Sequence, residues 1–353
     1  MKKIMIIAGG TGGHIFPALA VAEELKRQGF AVVWLGAHYG LEAKIIPQYF
    51  PLELIKVEGL RRRGWLAKLT APWQILSSVM KAMQVMRRLK PDVVLAMGGY
   101  VAGPGGVAAR ISGVPLVIHE QNAKAGFTNR LLAKIAHTRF QAFSTAFKES
   151  AVTVGNPIRA ALRQIEAPAV RYARQGPLRL LIVGGSQGAR AINQCMIEVW
   201  QNFAEKNAIE IWHQTGELDF VEMQKAYQQL ALPARVEPFI ENMAEAYAWA
   251  DLVISRAGAM SVSEIAAVGV ASILIPFPYA VDDHQRYNAQ YLACQEAAIL
   301  LDQKQLTGTE VSRLLLYFIK DKQRLLNMAL SANKLAFLDA AEKVARECVK
   351  YAQ

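Results

Sequence analysis

One pattern occurs twice in the 353-residue chain and constrains its fold more than any other feature. Residues 3–13 (KIMIIAGGTGG) and 179–190 (RLLIVGGSQGAR) each combine an apolar strand, a glycine-rich turn and the start of a helix. After each of them, short apolar runs alternate with amphipathic helical stretches. Such runs are typical of buried parallel strands in a doubly wound α/β sheet. The repeat therefore predicts two Rossmann-like domains, which also fits the length of the chain.

The predicted boundary falls where turn residues interrupt the alternation, at Gly155-Asn156-Pro157. We predict a first domain over residues 1–157, a second over 158–335, and a C-terminal helix over 336–353 that returns to the first domain. The predicted strands are 3–8, 31–35, 52–57, 92–96, 115–119, 178–183, 208–213, 252–254, 272–275 and 298–301.

Cysteine usage and hydropathy narrow the class of protein. Cys195, Cys294 and Cys348 lie far apart and form no CxxC pair, so neither a disulfide framework nor a zinc site is predicted. Apolar runs fall short of the roughly 20 residues that a membrane-spanning helix needs, and no signal-peptide pattern is visible. We therefore expect a soluble or peripheral protein of a reducing compartment.

The glycine-rich turns are candidate phosphate sites, because backbone N–H groups and a helix N-terminus point at an anion there. The first turn does not fit a dinucleotide fingerprint. The last position of its GxGxxG is Ile15, and no acid lies between Glu24 and Glu42, where a ribose ligand is expected. A GxxxxGK[ST] motif does not occur either. These departures argue against an NAD-linked oxidoreductase and a P-loop NTPase.

A third segment of small residues, 255–264 (SRAGAMSVSE), follows the strand predicted at 252–254. We predict that Ser261 or Ser263 lies at the start of a helix. Glu264 would then lie in the first turn of that helix, where it can accept hydrogen bonds from a sugar diol. The same spacing fits a capping box in which Ser261 and Glu264 only satisfy the backbone. Spacing alone does not choose between the two.

Six motifs in register resemble the MurG family of bacterial UDP-N-acetylglucosamine transferases, which convert lipid I to lipid II in peptidoglycan synthesis. They are residues 9–22 (GGTGGHIFPALAVA), 97–106 (MGGYVAGPGG), 119–126 (HEQNAKAG), 154–159 (VGNPIR), 183–190 (VGGSQGAR) and 255–267 (SRAGAMSVSEIAA). The resemblance implies a GT-B fold, two Rossmann-like doubly wound parallel-sheet domains facing across a cleft. It also implies that the second domain holds UDP-GlcNAc and that the first meets the membrane and the acceptor.

The implied reaction moves GlcNAc from UDP-GlcNAc to the MurNAc 4-hydroxyl of lipid I, at the cytoplasmic face of the bacterial inner membrane. Glu264 would bind the ribose hydroxyls, while Asn122 and Gln285 would bind those of GlcNAc. His284 stands where some family members have a second glutamine. The implied donor contacts are Thr11, Gly12, Gly13, Asn122, Arg159, Ser186, Ile240, Ala259, Met260, Ser261, Val262, Ser263, Glu264 and Gln285.

An α-linked donor and a β-linked product imply a single in-line displacement, which needs a base for the acceptor hydroxyl. His14, directly after the first glycine-rich turn, is the candidate base, although a histidine there can also merely cap or pack the helix. Glu120 and Tyr100 are the alternatives, because each follows a predicted strand end, where open α/β sheets bind ligands.

The departing diphosphate also needs stabilisation. The chain contains no DxD motif, since Asp282 and Asp283 are adjacent. We therefore expect no obligatory metal and no other cofactor. Helix N-termini and Arg159 would stabilise the diphosphate instead.

Positive charge is concentrated in one part of a chain whose net charge is +11. Eight cations and no acid lie between Gly59 and Pro91. A helix over 72–89 would also present an apolar face wider than the roughly 100° of a core-facing helix. Together these features predict an anchor to an anionic membrane surface. The predicted patch comprises Arg61, Arg62, Arg63, Trp65, Leu66, Lys68, Leu69, Trp73, Leu76, Val79 and Met80.

The alternative to this anchor is a wide core-facing helix with an ordinary solvated basic face. Nucleic acid is disfavoured as a partner because the region has no aromatic stacking series. The expected partners are UDP-GlcNAc, lipid I, the membrane surface and other cell-wall synthesis proteins. Two other functions remain open, a UDP-GlcNAc 2-epimerase and a non-catalytic protein that binds nucleotide sugars or scaffolds a membrane complex.

Overall fold

The computed structural model describes residues 2–57, 65–185 and 188–353, and leaves the side chains of residues 65–71 undescribed. The chain forms two compact units. One consists of residues 1–159 together with 337–353, and the other of residues 160–336. The chain therefore passes between the units twice, after Arg159 and after Ala336.

The N-terminal unit contains, within the described residues, a seven-stranded parallel sheet in the order β3-β2-β1-β4-β5-β6-β7. Its strands are β1 (Lys3–Ala8), β2 (Ala31–Ala37), β3 (Leu52–Ile55), β4 (Val93–Gly98), β5 (Leu116–Glu120), β6 (Thr138–Gln141) and β7 (Val152–Thr153). The helices between them are α1 (Gly12–Arg27), α2 (Glu42–Ile45), α3 (Trp65–Leu89), α4 (Ala102–Ile111) and α5 (Phe127–Leu132).

Strand β1 shows why this sheet is buried on both faces. Side chains alternate across a strand, so Ile4 and Ile6 join the core under α1, while Met5 and Ile7 join the core under α3 and α4. All four side chains are fully buried. A strand buried on both sides appears in sequence as a continuous apolar run, which explains why residues 3–8 were readily predicted.

The C-terminal unit repeats this design with, in the described residues, a six-stranded parallel sheet in the order β10-β9-β8-β11-β12-β13. Its strands are β8 (Leu178–Val183), β9 (Ile209–Gln214), β10 (Ala234–Glu237), β11 (Leu252–Ser255), β12 (Ala271–Leu274) and β13 (Ile299–Leu300). Its helices are α6 (Pro168–Arg171), α7 (Arg190–Asn202), α8 (Phe220–Gln229), α9 (Met243–Trp249), α10 (Ala259–Val268), α11 (His284–Ala293), α12 (Gly308–Lys320) and α13 (Lys322–Lys334).

The last helix, α14 (Ala340–Ala352), packs against α1 in the N-terminal unit. The prediction of one helix over 336–353 was wrong at its start, because α13 ends at Lys334 and α14 begins only at Ala340. The chain passes between the units in this interval. There Phe337 packs against Gly155 instead of continuing a helix.

Three strands were not predicted, namely β6, β7 and β10. Two of them, β7 and β10, lie at sheet edges, and β6 lies next to β7. Their sequences (TRFQ, VT and ARVE) are short and polar, and several of their residues are only partly buried. A strand at a sheet edge or next to it buries less side-chain surface than a central strand, so it lacks the apolar run by which the central strands were recognised.

Candidate functional site

Each sheet reverses its strand order at one point, between β1 and β4 in the N-terminal unit and between β8 and β11 in the C-terminal unit. In open parallel α/β sheets, ligands bind beside the carboxyl ends of the strands at such a point. In the N-terminal unit this position brings together the loops at 9–11 and 99–101. In the C-terminal unit it brings residues 184–185 and 188–189 together with the loop at 256–258. Each unit therefore has one candidate site.

His14 lies at the site of the N-terminal unit, in the first turn of α1. Its Nδ1 is 2.9 Å from Oε1 of Gln121, which follows β5. The imidazole also lies against Gly98 at the end of β4, where an added Cβ would come within 2.6 Å of Nδ1. At the next residue, Gly99, a Cβ would strike the backbone of Gly9. The MGGY motif thus lets β4 approach the first glycine-rich turn and His14 closely.

The carboxylate of Glu120, a predicted alternative base, is buried and holds its own loop together. Its Oε1 accepts hydrogen bonds from the backbone N–H of Asn122 at 2.9 Å and from the Asn122 side chain at 3.2 Å. Its Oε2 accepts from Gly126 N at 3.1 Å and from Asn129 Nδ2 at 2.9 Å. With four donors on two oxygens, this geometry favours a role in shaping the loop over that of a base. The other alternative, Tyr100, is 56% exposed.

His119, just before Glu120, is fully buried. Its Nε2 donates a hydrogen bond to the carbonyl of Gly155 at 2.9 Å. Burial lowers the pKa of His119 from 6.5 to about 4, and the bond to Gly155 offsets this only in part. The imidazole is therefore neutral at neutral pH, as expected for a packed, hydrogen-bonded residue.

A second buried carboxylate, that of Glu42 in α2, braces the first glycine-rich turn. Its Oε2 accepts from the N–H of Gly10 and its Oε1 from the N–H of Ala37, both at 2.9 Å. Glu42 thus joins the turn after β1 to the end of β2. In the sequence, Glu42 is only an acid too distant to be a ribose ligand, so this role was not predicted.

In the C-terminal unit, helix α10 begins earlier than predicted. Gly258 is the N-cap and Ala259 the first helical residue, so Ser261 and Ser263 lie inside the helix. Glu264 is in the second turn and not in the first, and the proposed capping box of Ser261 and Glu264 does not form. Glycine is an accepted N-cap residue, so the helix needs no serine to start it. Glu264 is buried and accepts a hydrogen bond from the Tyr247 hydroxyl at 3.4 Å.

Two further side chains order the loop that leads from β12 to α11. The Arg256 guanidinium donates to the carbonyls of Ile275 and Pro276, each at 3.3 Å. Gln285 uses its Oε1 to accept the N–H of Phe277 at 2.9 Å. Burial lowers the pKa of Arg256 to about 10, so it remains a cation at neutral pH.

The remaining predicted donor contacts are placed as follows. Thr11 is exposed at the N-cap of α1, whereas Gly12 is buried and Gly13 partly buried in its first turn. Arg159 is partly buried, with its guanidinium 5.6 Å from the centre of the Phe16 ring. Ile240 is buried after β10, Ala259 and Val262 are buried in α10, and Met260 is partly buried. Ser186 lies outside the described residues.

Among the residues that the structure describes, no group of three or more His, Cys, Asp or Glu side chains is arranged to hold a metal ion. The adjacent Asp282 and Asp283 both have positive φ, at 54° and 55°, at the start of α11.

Comparisons with known proteins agree over nearly the whole chain. Residues 4–141 match the glycosyltransferase family 28 N-terminal domain, and residues 179–344 match the glycosyltransferase family 28 C-terminal domain. The chain is 40% identical to the protein in a crystal structure of Acinetobacter baumannii MurG, with a TM-score of 0.86, covering 99% of this chain and 100% of that one.

The chain belongs to the MurG family of glycosyltransferases.

Two curated relatives carry the name UDP-N-acetylglucosamine--N-acetylmuramyl-(pentapeptide) pyrophosphoryl-undecaprenol N-acetylglucosamine transferase. The one from Coxiella burnetii (strain RSA 331 / Henzerling II) is 50% identical over 354 residues, covering 99% of both chains. The one from Cellvibrio japonicus (strain Ueda107) is 49% identical over 358 residues, covering 99% of this chain and 98% of that one. MurG family membership and the GT-B fold class, both predicted from the six motifs, are confirmed.

The predicted membrane patch of this MurG family member is only partly exposed. Helix α3 begins at Trp65, with Pro72 inside it. Trp73 is 74% exposed, Leu76 48% and Met80 50%. Val79 was assigned to the patch wrongly. It is buried together with Ala82, Val85 and Met86 against β1 and β4, because this side of α3 faces the sheet.

Seven other members of the predicted patch lie in the segment at 61–69. Arg61, Arg62 and Arg63 lie outside the described residues, as do the side chains of Trp65, Leu66, Lys68 and Leu69. In the part of the chain that the structure does describe, no helix combines the length and the hydropathy needed to cross a bilayer.

Proposed function

We propose that this chain transfers GlcNAc from UDP-GlcNAc to the MurNAc 4-hydroxyl of lipid I, which converts lipid I to lipid II. The main support is the identity of about half of all residues to transferases of that name over the whole chain. The two candidate sites support the same proposal, because each lies at the strand-order reversal where α/β sheets bind ligands.

In this proposal His14 is the base. Its Nε2 takes the proton of the acceptor hydroxyl while the hydroxyl oxygen forms a bond to the anomeric carbon of GlcNAc. The bond from that carbon to the diphosphate oxygen breaks, and UDP leaves with the electron pair. One displacement inverts the anomeric centre, from α to β. Glu120 is assigned to the loop instead, because its four hydrogen bonds to described residues all come from its own segment.

The C-terminal unit would hold the donor. Gly258 and the first turn of α10 present backbone N–H groups to the diphosphate, and Glu264 receives the ribose hydroxyls. Gln285 would bind GlcNAc through its Nε2, because its Oε1 is engaged by Phe277. Thr11, Gly12, Gly13, Asn122 and Arg159 would be the contributions of the N-terminal unit. Ser186, Ile240 and residues 259–263 would also contact UDP-GlcNAc, as the resemblance implies.

The N-terminal unit would also bind the cytoplasmic face of an anionic membrane, where the acceptor is held. Trp73, Leu76 and Met80 form one exposed apolar stripe on α3, and the exposed cations Lys81 and Arg87 follow on the same helix. Apolar side chains flanked by cations favour the interface of an anionic bilayer. Such a peripheral position would also allow contact with other cell-wall synthesis proteins.

The deciding experiment mixes the purified chain with UDP-GlcNAc and a lipid I analogue. We expect a β-1,4-linked disaccharide product and UDP release that depends on the acceptor. A 2-epimerase would change the sugar without the acceptor, and a scaffold protein would bind UDP-GlcNAc without turnover, so either result would overturn the proposal. Repeating the assay with a metal chelator should leave the rate unchanged, because no obligatory metal is expected.

A further inference from the structure

A chain of hydrogen bonds runs from His14 into the interior of the N-terminal unit. His14 Nδ1 meets Gln121 Oε1 at 2.9 Å, and Gln121 Nε2 meets His119 Nδ1 at 3.2 Å. Gln121 Nε2 also donates to the backbone carbonyl of His119 at 3.3 Å. At the inner end, His119 Nε2 meets the carbonyl of Gly155 at 2.9 Å. Each link connects one donor with one acceptor, so the direction of the whole chain can be worked out from its inner end.

The Gly155 carbonyl fixes the first direction. A carbonyl only accepts hydrogen bonds, so His119 must carry a proton on Nε2. Because burial lowers the pKa of His119 to about 4, the imidazole has no second proton at neutral pH. Its Nδ1 therefore has a free lone pair and accepts from Gln121.

The amide of Gln121 has only one orientation that suits these neighbours. Its NH₂ group faces two acceptors, His119 Nδ1 and the His119 carbonyl. A flipped amide would place Oε1 against both of them and lose both bonds. The backbone of Gln121 is held as well, since Asn156 Nδ2 donates to its carbonyl at 3.0 Å. Gln121 Oε1 must therefore face His14, where it can only accept.

We propose that Gln121 and His119 are positioning residues that hold His14 in the Nδ1–H tautomer and leave the lone pair on Nε2. This inference rests on the proposed function, in which that lone pair takes the acceptor proton. Neutral imidazole has one N–H and one acceptor nitrogen, so a donor at Nδ1 makes Nε2 the basic atom. Within the described residues Nε2 has no hydrogen-bond partner.

A histidine that acts as a base through Nε2 needs a neighbour that holds its proton on Nδ1. Free histidine prefers the opposite tautomer, with the proton on Nε2, which would turn a hydrogen-bond donor toward the acceptor hydroxyl. The wrong tautomer is costly where histidine is the base. In a serine-protease triad it lowers kcat about 10⁴-fold. Gly98 adds to the restraint, because the imidazole of His14 packs against its backbone.

The direct test is ¹⁵N NMR of the full chain with labelled histidine, at about two pH units above the ordinary histidine pKa. His14→Gln assigns the His14 signals by removing them. We expect a protonated Nδ1 and an unprotonated Nε2 for His14 in the wild-type protein. An Nε2–H tautomer would overturn the proposal whether or not the protein is active. The expected tautomer in a protein that transfers no GlcNAc would instead overturn the proposed function alone.

Gln121→Met tests the positioning role, because it keeps the length of the side chain and removes its hydrogen bonds. We expect the His14 signals to shift toward the Nε2–H tautomer. The kcat should fall about 10- to 100-fold, the loss seen when the hydrogen-bond partner that orients a metal-binding histidine is removed, with the KM for UDP-GlcNAc nearly unchanged. Unchanged His14 signals in Gln121→Met would reject the role of Gln121. If this variant does not fold, the wild-type spectrum still decides the tautomer.

Thr145→Val is the matched control. Thr145 Oγ1 donates to the carbonyl of Ala123 at 2.7 Å, so this substitution removes a bond from the same loop and none from the chain to His14. The His14 signals and the kcat should match those of the wild-type protein. A fall in kcat here as large as in Gln121→Met would assign the effect to loosening of the loop and overturn the positioning role.

Discussion

Gly98 lies so close to the imidazole of His14 that an added Cβ would come within 2.6 Å of Nδ1. Gly98 also has a φ of 104°, in the region that disfavours all residues with a Cβ. We therefore expect Gly98→Ala to lower the free energy of unfolding by about 1–3 kcal/mol through backbone strain, and to lower the kcat by displacing His14. Urea unfolding and the transfer assay measure the two effects.

Gly103→Ala is the control for this substitution. Gly103 lies in the first turn of α4, where an added Cβ would meet Thr128 at an ordinary 3.4 Å. Alanine is better than glycine in a helix by about 0.5–1 kcal/mol, so the control should be neutral or slightly stabilising. Equal losses in the two variants would contradict the role given to Gly98.

Glu42→Gln tests the brace between the first glycine-rich turn and β2. The N–H groups of Gly10 and Ala37 bond different oxygens of Glu42, and the substitution turns one of these oxygens into an NH₂ group, which cannot accept. One backbone N–H loses its partner, and we expect a loss of about 1–3 kcal/mol in the free energy of unfolding. Glu53→Gln is the control, because the side chain of Glu53 forms a partly exposed ion pair with Arg88, and such a pair is worth about 0–1 kcal/mol. Equal losses of unfolding free energy in the Glu42 and Glu53 variants would contradict the stabilising role given to Glu42.

Glu120→Gln separates a structural role from that of a base. The substitution puts an NH₂ group against donors that now bind a carboxylate oxygen. We expect a loss of about 1–3 kcal/mol in the free energy of unfolding and a lower kcat, with the shape of the pH–rate profile unchanged. If Glu120 were the base, the limb of that profile due to deprotonation of the base would disappear while stability changed little.

Stability should fall as the pH falls from neutral. Burial lowers the pKa of His213 from 6.5 to about 3, and that of His119 to about 4. The unfolded chain then binds protons below its histidine pKa while the folded chain does not, so each histidine stabilises the fold above that pKa and loses this contribution as the pH falls. Between about pH 7 and pH 5 the loss is about 2 kcal/mol per histidine. Urea unfolding at pH 7 and pH 5 measures this loss. The His213→Gln variant should show a difference in the free energy of unfolding between the two pH values that is smaller by about 2 kcal/mol. An unchanged difference would contradict the assignment to His213.

The membrane proposal predicts that Trp73→Glu and Leu76→Glu weaken binding to anionic vesicles in a sedimentation assay. Binding of the wild-type protein should also weaken as salt is added, because the cations of the patch are screened. Tyr39→Glu serves as the control, since Tyr39 is 83% exposed but lies between β2 and α2, away from α3 in sequence. If vesicle binding changed neither with added salt nor with the substitutions on α3, the assignment of a membrane patch would be wrong.

The central strands and the first glycine-rich turn were predictable, because a run of apolar residues predicts a buried strand and a cluster of glycines predicts a tight turn without reference to the rest of the chain. The start of α10 was not, since three small residues, Ala257, Gly258 and Ala259, leave the N-cap open to several registers. Val79 was misassigned because a wide apolar arc does not reveal which half of it faces the sheet.

The contacts around His14 could not be predicted from local patterns either. Gln121 lies 107 residues away from His14, and the two meet only because β1 and β5 flank β4 in a parallel sheet. The sequence did offer one signal for Gln121, because this residue follows His119 and Glu120 directly at the end of a predicted strand. Glu42 carried no comparable signal.

Helix α14 has a consequence for the order in which the protein is made. Val344, Ala345 and Cys348 complete the buried core that contains Ile4 and Ile15. At about 5–20 residues per second, the ribosome needs roughly 10 to 40 s to add residues 154–339 after the last strand of that sheet has been synthesised. The C-terminal unit is continuous in sequence and can finish folding during this interval. The core on one face of the N-terminal sheet stays incomplete until α14 emerges, which reverses the usual order of domain maturation.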